Sequence, residues 1–196
     1  IGCNAFLGGI SKNYHTNLLL SKNPVLVAEA DEFDRSFLQL FPDVAVITST
    51  DADHLDIYGD VCTIKAAFAE FASQIKESGS LVLKKGVSID TSNIKAKVYS
   101  YSFNGTADFY AKNAEVIEGG YYKFDIVYPS YTTIYGENIS GGEISGCVLG
   151  VPGWVNAENA IAASATALLG GLSPQDIKDA LKVFSGVERR FDIHLN

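Results

Sequence analysis

With 196 residues, 47% of them apolar and 19% charged, the chain can bury one well-formed core, or one domain and part of another, and its composition excludes disorder. A formal net charge of −8 argues against non-specific nucleic-acid binding, because no excess of Lys and Arg is available to neutralise phosphates; a phosphate-bearing ligand needs a local cation or a metal. Three dispersed cysteines, Cys3, Cys62 and Cys147, suggest neither a disulfide framework nor a metal knuckle and fit a reducing cytoplasm, and no apolar run approaches the ~20 residues that cross a bilayer.

Residues 1–21 read as a glycine-punctuated loop, with Gly8-Gly9 as a turn and His15-Thr16-Asn17 as a small polar cluster. A first strand is expected over 25–29, then a short helical turn within 33–40 that Phe41-Pro42 stops. A second strand over 44–50 is almost unbroken in apolar character, as in sheets covered on both faces. Ile64, Ala67, Phe68, Phe71, Ala72 and Ile75 recur at helical spacing and predict an amphipathic helix over 61–75. A third strand at 81–83 makes this strand, helix and strand a right-handed parallel crossover.

From about residue 95 the segments 97–103, 107–112, 121–129 and 143–149 are rich in Tyr, Val, Ile and Thr and are separated by Gly and Asn turns. They predict a small antiparallel sheet appended to the parallel one. Helices return at 156–169, where alanine dominates, and at 174–184, with Ser173 as N-cap and Pro174 at the first helical position. The expected class is α/β, a mostly parallel sheet flanked by helices.

Four stretches carry candidate chemistry. Glu29-Ala30-Asp31-Glu32-Phe33-Asp34 crowds four carboxylates at a strand end, where they repel unless solvated or held by a cation. Thr48-Ser49-Thr50-Asp51-Ala52-Asp53-His54-Leu55-Asp56 puts hydroxyls, carboxylates and an imidazole where open α/β sheets place ligands. Asn156 serves as a cap of the alanine-rich helix, and Asn159, one turn on, points an amide toward whatever meets the helix start, such as a nucleobase edge. Arg189-Arg190 is either a surface feature or the missing cation for a phosphate or carboxylate.

The succession EADEFDRSFL, DADHLDIYG, PGWVNAENAIAA and GVERRFD resembles the ATP-binding central domain of the Mur ligases over nearly the whole chain. It is most similar to the branch that joins L-alanine to UDP-N-acetylmuramate. The resemblance implies a P-loop NTPase-like fold and ATP-driven amide formation through an acyl phosphate in peptidoglycan precursor synthesis, in the cytoplasm. It also implies ATP and Mg2+ as cofactors. Glu29 would bind the magnesium between the β- and γ-phosphates and His54 a second magnesium, on neighbouring strands. Asn156 and Asn159 would lie at the adenine, Arg189 near the phosphates, and His15, Thr16 and Asn17 would face the sugar nucleotide.

Two departures accompany the resemblance. No glycine-rich loop ending in Gly-Lys-Thr or Gly-Lys-Ser occurs, so we expect it upstream of Ile1, and Val155 stands where the family usually has histidine. The start at Ile1 and the lack of methionine point to a piece of a longer protein, with 1–185 as a truncated central domain and 186–196 as the start of a linker to a C-terminal domain. Such a piece is expected to be inactive alone. The alternatives are the ligase that recycles murein tripeptide, another amide-forming member of the family, or a non-catalytic nucleotide-binding or interaction module.

Overall fold

The computed structural model describes residues 2–51 and 58–189. Its centre is a six-stranded sheet in the order β11-β8-β7-β6-β5-β4, built from β4 (Val44–Ile47), β5 (Ser80–Lys84), β6 (Lys97–Ser102), β7 (Phe109–Ile117), β8 (Tyr121–Tyr128) and β11 (Gly142–Val148). Strands β4 to β7 run parallel, and β8 and β11 continue the same sheet antiparallel. The antiparallel region predicted beyond residue 95 therefore starts later than expected. Strand β6 is still parallel: Tyr99 and Tyr101 point into one core while Val98 stays exposed, a period-two pattern that parallel and antiparallel strands share. A separate antiparallel pair, β9 (Tyr131–Thr132) and β10 (Asn138–Ile139), supplies the small extra sheet.

Alternating side chains of the parallel strands serve two cores. Ala45, Ile47 and Leu81 join Phe37, Ile64, Ala67, Phe71 and Ala72 under α1 (Val61–Ser73). Val44, Val46 and Val82 face the opposite way, toward Ala157, Ile161, Ala165 and Leu168 of α2 (Trp154–Leu169). Helices on both faces explain the near-continuous apolar reading of these strands. The side chain of Asp60 caps α1 by accepting from the Thr63 amide at 2.7 Å. Ser173 caps α3 (Pro174–Val183) as predicted, its hydroxyl accepting from the Asp176 amide.

The first 30 residues depart from the expected loop. Residues β1 (Asn4–Ser11), β2 (Thr16–Leu19) and β3 (Leu26–Ala28) form their own three-stranded sheet, with β1 central, antiparallel to β2 and parallel to β3. The glycines that suggested a turn lie inside β1, where they admit close neighbours: a Cβ on Gly8 would stand 2.8 Å from the Glu29 carboxylate oxygens. The strand leading to Glu29 therefore neighbours β1 and not β4, and the expected adjacency of the Glu29 and His54 strands does not hold.

Candidate functional site

The acidic run leaves β3 and reaches β4 through a 3-10 turn at Ser36–Gln39. Phe37 anchors that turn, nearly fully buried and in ring contact with Phe68 and Phe71 at 5.3 and 5.1 Å. Burial of this one ring holds a polar segment against the sheet. The Glu29 amide donates to the Phe6 carbonyl at 2.9 Å, and its carboxylate accepts from the Gly8 amide at 2.7 Å. The carboxylate thus lies over β1 in a defined place and still faces solvent.

The other carboxylates of the run are partly used in the turn itself. Asp31 accepts from the Phe33 amide and Asp34 from the Ser36 amide, each at 2.9 Å. Hydrogen bonds from Ser36 hold the Asp34 carboxyl below its ordinary value. The Arg35 guanidinium sits 5.0 Å from the Tyr58 ring centroid, and burial, the largest influence on the Tyr58 phenol, pushes its pKa up.

Glu32 takes a different direction. Together with Ser49, Asp51, Ile64 and Phe68 it lines a cavity of about 60 Å³ between the acidic run, the carboxyl end of β4 and α1. The Ser49 hydroxyl accepts from the Asp51 amide at 2.9 Å, which shapes the turn out of β4. Ser49 and Asp51 belong to the motif that follows β4 and Glu32 to the acidic run, yet in the sequence none of the three stands out as a site residue. The available signal was position, since all three fall at the ends of segments that feed the sheet. His54, the predicted second metal ligand, lies outside the described residues. A larger groove of about 610 Å³ runs past Cys62, Lys65, Glu70 and Asp90 on the outer side of α1 and shares no lining residue with the cavity at the carboxyl edge of the sheet.

Helix α2 begins beside this edge. Its N-cap is Gly153, at φ 97, a backbone conformation that suits glycine. Asn156 does not cap the helix. It lies inside the first turn, and its amide donates to the Pro152 carbonyl at 2.7 Å. Asn159 is exposed one turn further on, with Trp154 and Val155 also exposed beside the helix start.

The remaining predicted residues gather around the three-stranded sheet. Val187 bridges to Ser11, the Glu188 amide donates to the Ile10 carbonyl, and the Val187 side chain covers Gly9. This carries Arg189, at φ 64, to the carboxyl end of β1. His15 occupies the turn between β1 and β2 at φ 54, its amide donating to the Ser11 carbonyl at 2.7 Å. Thr16 bonds locally through its hydroxyl, and Asn17 is exposed on β2. Glu29, Arg189 and the His15-Thr16-Asn17 hairpin thus share one end of one small sheet, while Asn156 and Asn159 belong to the helix over the large one.

Glu29, Glu32, Ser49 and Asp51 offer hard oxygen donors, the chemistry that suits magnesium. Among the described residues no group of three or more His, Cys, Asp or Glu converges as a metal site. Among them, too, no helix is long and apolar enough to cross a membrane.

A mostly parallel sheet with helices on both faces, and acid and amide side chains near its carboxyl edge, make this an open α/β domain, a class in which ligands bind at the strand ends. Residues 17–167 match the family described as the Mur ligase middle domain, and the chain belongs to that family. It is 46% identical over 198 residues to UDP-N-acetylmuramate–L-alanine ligase of Parabacteroides distasonis, covering all of this chain and 40% of that protein. The same-named ligase of Porphyromonas gingivalis is 42% identical, over 98% of this chain and 40% of the relative. This chain therefore spans about 40% of the length of the curated relatives it matches.

Solved structures agree on the fold. UDP-N-acetylmuramate-alanine ligase from Thermotoga maritima superposes with a TM-score of 0.73 at 24% identity, covering 98% of this chain and 41% of that one. The MurF ligase from Thermotoga maritima, solved in complex with ADP, gives 0.64 at 17% identity, over 98% and 44%.

Proposed function

We propose that the chain is the nucleotide-binding middle part of a cytoplasmic, ATP-dependent ligase that joins L-alanine to UDP-N-acetylmuramate. The observation that carries this reading is identity of 42% or more, over nearly the entire chain, to relatives that bear that activity in their names. In the whole ligase, ATP supplies activation of the muramic acid carboxylate and magnesium neutralises phosphate charge.

The chain's own residues have distinct tasks in this reading. Glu29, fixed by the Gly8 amide, holds one magnesium, and His54 serves a second. Glu32, Ser49 and Asp51, around the small cavity, offer further oxygen ligands at the carboxyl end of β4. Asn159, with Asn156 behind it, meets the adenine edge. Arg189 offers a fixed positive charge to phosphate oxygens, and His15, Thr16 and Asn17 face the sugar nucleotide. Phosphoryl transfer demands alignment and charge neutralisation more than covalent participation by the protein, and every group named supplies one or the other.

The test is ADP release by the whole ligase with UDP-N-acetylmuramate and either L-alanine or the L-alanyl-γ-D-glutamyl-meso-diaminopimelate tripeptide. Turnover with L-alanine alone is the expected result. Turnover with the tripeptide alone replaces this reading with the recycling ligase. The isolated 196-residue chain is expected to show neither ligation nor low-micromolar nucleotide binding, which isothermal titration calorimetry checks.

A further inference from the structure

Helix α2 buries the large side chains Ile161, Leu168 and Leu169 further along, but its first turns meet the sheet through the small apolar side chains Ala157 and Ala160. The exception is Glu158. It is buried to 9% exposure, and its carboxylate meets the Lys84 ammonium, at the end of β5, at 2.6 Å. Lys84 pairs in register with Tyr101 of β6, whose ring is fully buried and whose hydroxyl has no hydrogen-bond partner among the described residues. A buried charge is a poor way to add stability, since well-packed apolar groups of similar volume do as well or better. What such a pair can do, with Glu158 buried and the Lys84 side chain one-third exposed, is fix one arrangement among several.

The alanine face gives that role a purpose. Small side chains let the start of the helix approach closely, but they interlock less with the sheet than the Ile161 and Leu168 side chains further along, so they specify the placement of the first turns poorly. The other inward polar groups do not help: the Ser164 and Thr166 hydroxyls donate back to the Ala160 and Ala162 carbonyls, at 2.7 and 2.9 Å. Glu158 makes a charged tie from α2 to the strand ends. It is the immediate neighbour of Asn159 and two residues from Asn156. Any slip or rotation of the first turns breaks the ion pair and at the same time displaces both amides.

We infer that the Lys84–Glu158 pair is a positioning element for nucleotide recognition, locking the start of α2 to the carboxyl edge of β5 so that Asn159 meets the base in one geometry. The inference rests on the proposed contact between Asn159 and the adenine. Lys84 and Glu158 touch no reacting atoms and act through the asparagines.

The whole ligase provides the test. Glu158→Gln, Lys84→Met and the double variant K84M/E158L are compared with Asn159→Ala for melting temperature, kcat, and KM for ATP, L-alanine and the sugar nucleotide. Both single variants are expected to raise KM for ATP about tenfold, with kcat and the other KM values within about twofold, the pattern of lost binding without lost chemistry. The double variant is expected to regain the wild-type melting temperature while keeping the raised KM for ATP. If it regains both, the pair is only structural and the inference falls; this variant also decides the matter if a single variant fails to fold. If Asn159→Ala raises KM for ATP and the pair variants do not, the inference alone falls. If Asn159→Ala changes nothing, the nucleobase reading beneath it falls as well.

Discussion

The two sheets of this molecule are built on opposite terms. The six-stranded sheet covers both faces with helices, and its large side chains are almost fully hidden: Tyr101, Phe109, Phe124 and Ile126 all lie at 1% exposure or less. The three-stranded sheet leaves Phe6 at 55%, Leu18 at 50% and Leu26 at 62% exposure, and a sheet of three short strands has little independent stability. Yet the small sheet carries Glu29, Arg189 and the His15 hairpin, whereas the large one combines its deep core with Asn159 and the turn at 49–51 on its carboxyl edge. Stability therefore rests on the core strands of the large sheet, so substitutions inside that core should mostly change folding, and substitutions of exposed groups on the small sheet should mostly change turnover.

The largest expected effect lies on the small sheet. Glu29→Ala in the whole ligase is expected to lower kcat/KM by at least about a thousandfold, a loss of several kcal/mol in stabilising phosphate charge, with the melting temperature nearly unchanged because the side chain is exposed. Unimpaired turnover at limiting magnesium removes Glu29 from the metal site. Gly8→Ala sharpens the same point, since its Cβ must push the Glu29 carboxylate from its 2.8 Å approach. An activity loss of about ten- to a hundredfold is expected from such a displacement, again with the fold retained.

Next come paired phenylalanine deletions. Phe109→Ala removes a fully buried ring packed against Tyr99 at 5.5 Å and is expected to cost about 3–5 kcal/mol in chemical denaturation. Phe6→Ala, half in solvent already, is expected to cost about 1 kcal/mol or less. Equal losses at the two positions would erase the distinction between the sheets.

A smaller effect concerns Asp125 of β8, whose carboxylate accepts from the Gly146 amide and from the Asn113 side chain, both at 2.7 Å. Gly146 and Asn113 have φ of 65 and 53 and lie where the β8–β11 and β7–β8 registers shift. One carboxylate therefore braces two irregularities of the antiparallel edge. Its pKa is held below the ordinary 3.8, first by the Gly146 amide. Because the folded value is depressed, the stabilisation is fully present above that ordinary value and is lost as pH falls through the folded one. Asp125→Asn should cost about 1 kcal/mol at neutral pH, a low figure for bonds to a charge because solvent screens it. It should also flatten this residue's contribution to the acid limb of a pH–stability curve.

Much of the large sheet was legible in the sequence because long apolar and helical periods survive burial on two faces. Helix α1, and α3 with its Ser173 cap, form at nearly the expected bounds, and the strand expected over 44–50 forms over its first four residues, Val44–Ile47. The small sheet was not legible. Gly8 and Gly9 mimic a turn, and only the fold reveals that they make room for Glu29 and Val187. The capping role expected of Asn156 failed for a related reason: Gly153 starts the helix two residues earlier than read, which places Asn156 inside the first turn. Glu158 was invisible as well, since a charge within an alanine-rich helix reads as solvent-facing until the strand bearing Lys84 is set beneath it.

The smallest effect is expected at the centre of the large sheet, and its sign is informative. Burial, reinforced by the nearby Glu158 charge, pushes the Tyr101 phenol's pKa well up, so the group stays neutral at every working pH. Its hydroxyl makes no hydrogen bond among the described residues. Removing a buried polar group that has no partner also removes its desolvation penalty. Tyr101→Phe keeps the ring that packs in the core and is expected to change stability by no more than about 0.5 kcal/mol, or to raise it by up to about 1 kcal/mol. A loss of about 2 kcal/mol or more on denaturation would mean that the hydroxyl has a partner in the folded protein. The joint between α2 and the sheet would then be held by a network of Tyr101, Glu158 and Lys84, and the charged tie at the strand end would extend into the core of the large sheet.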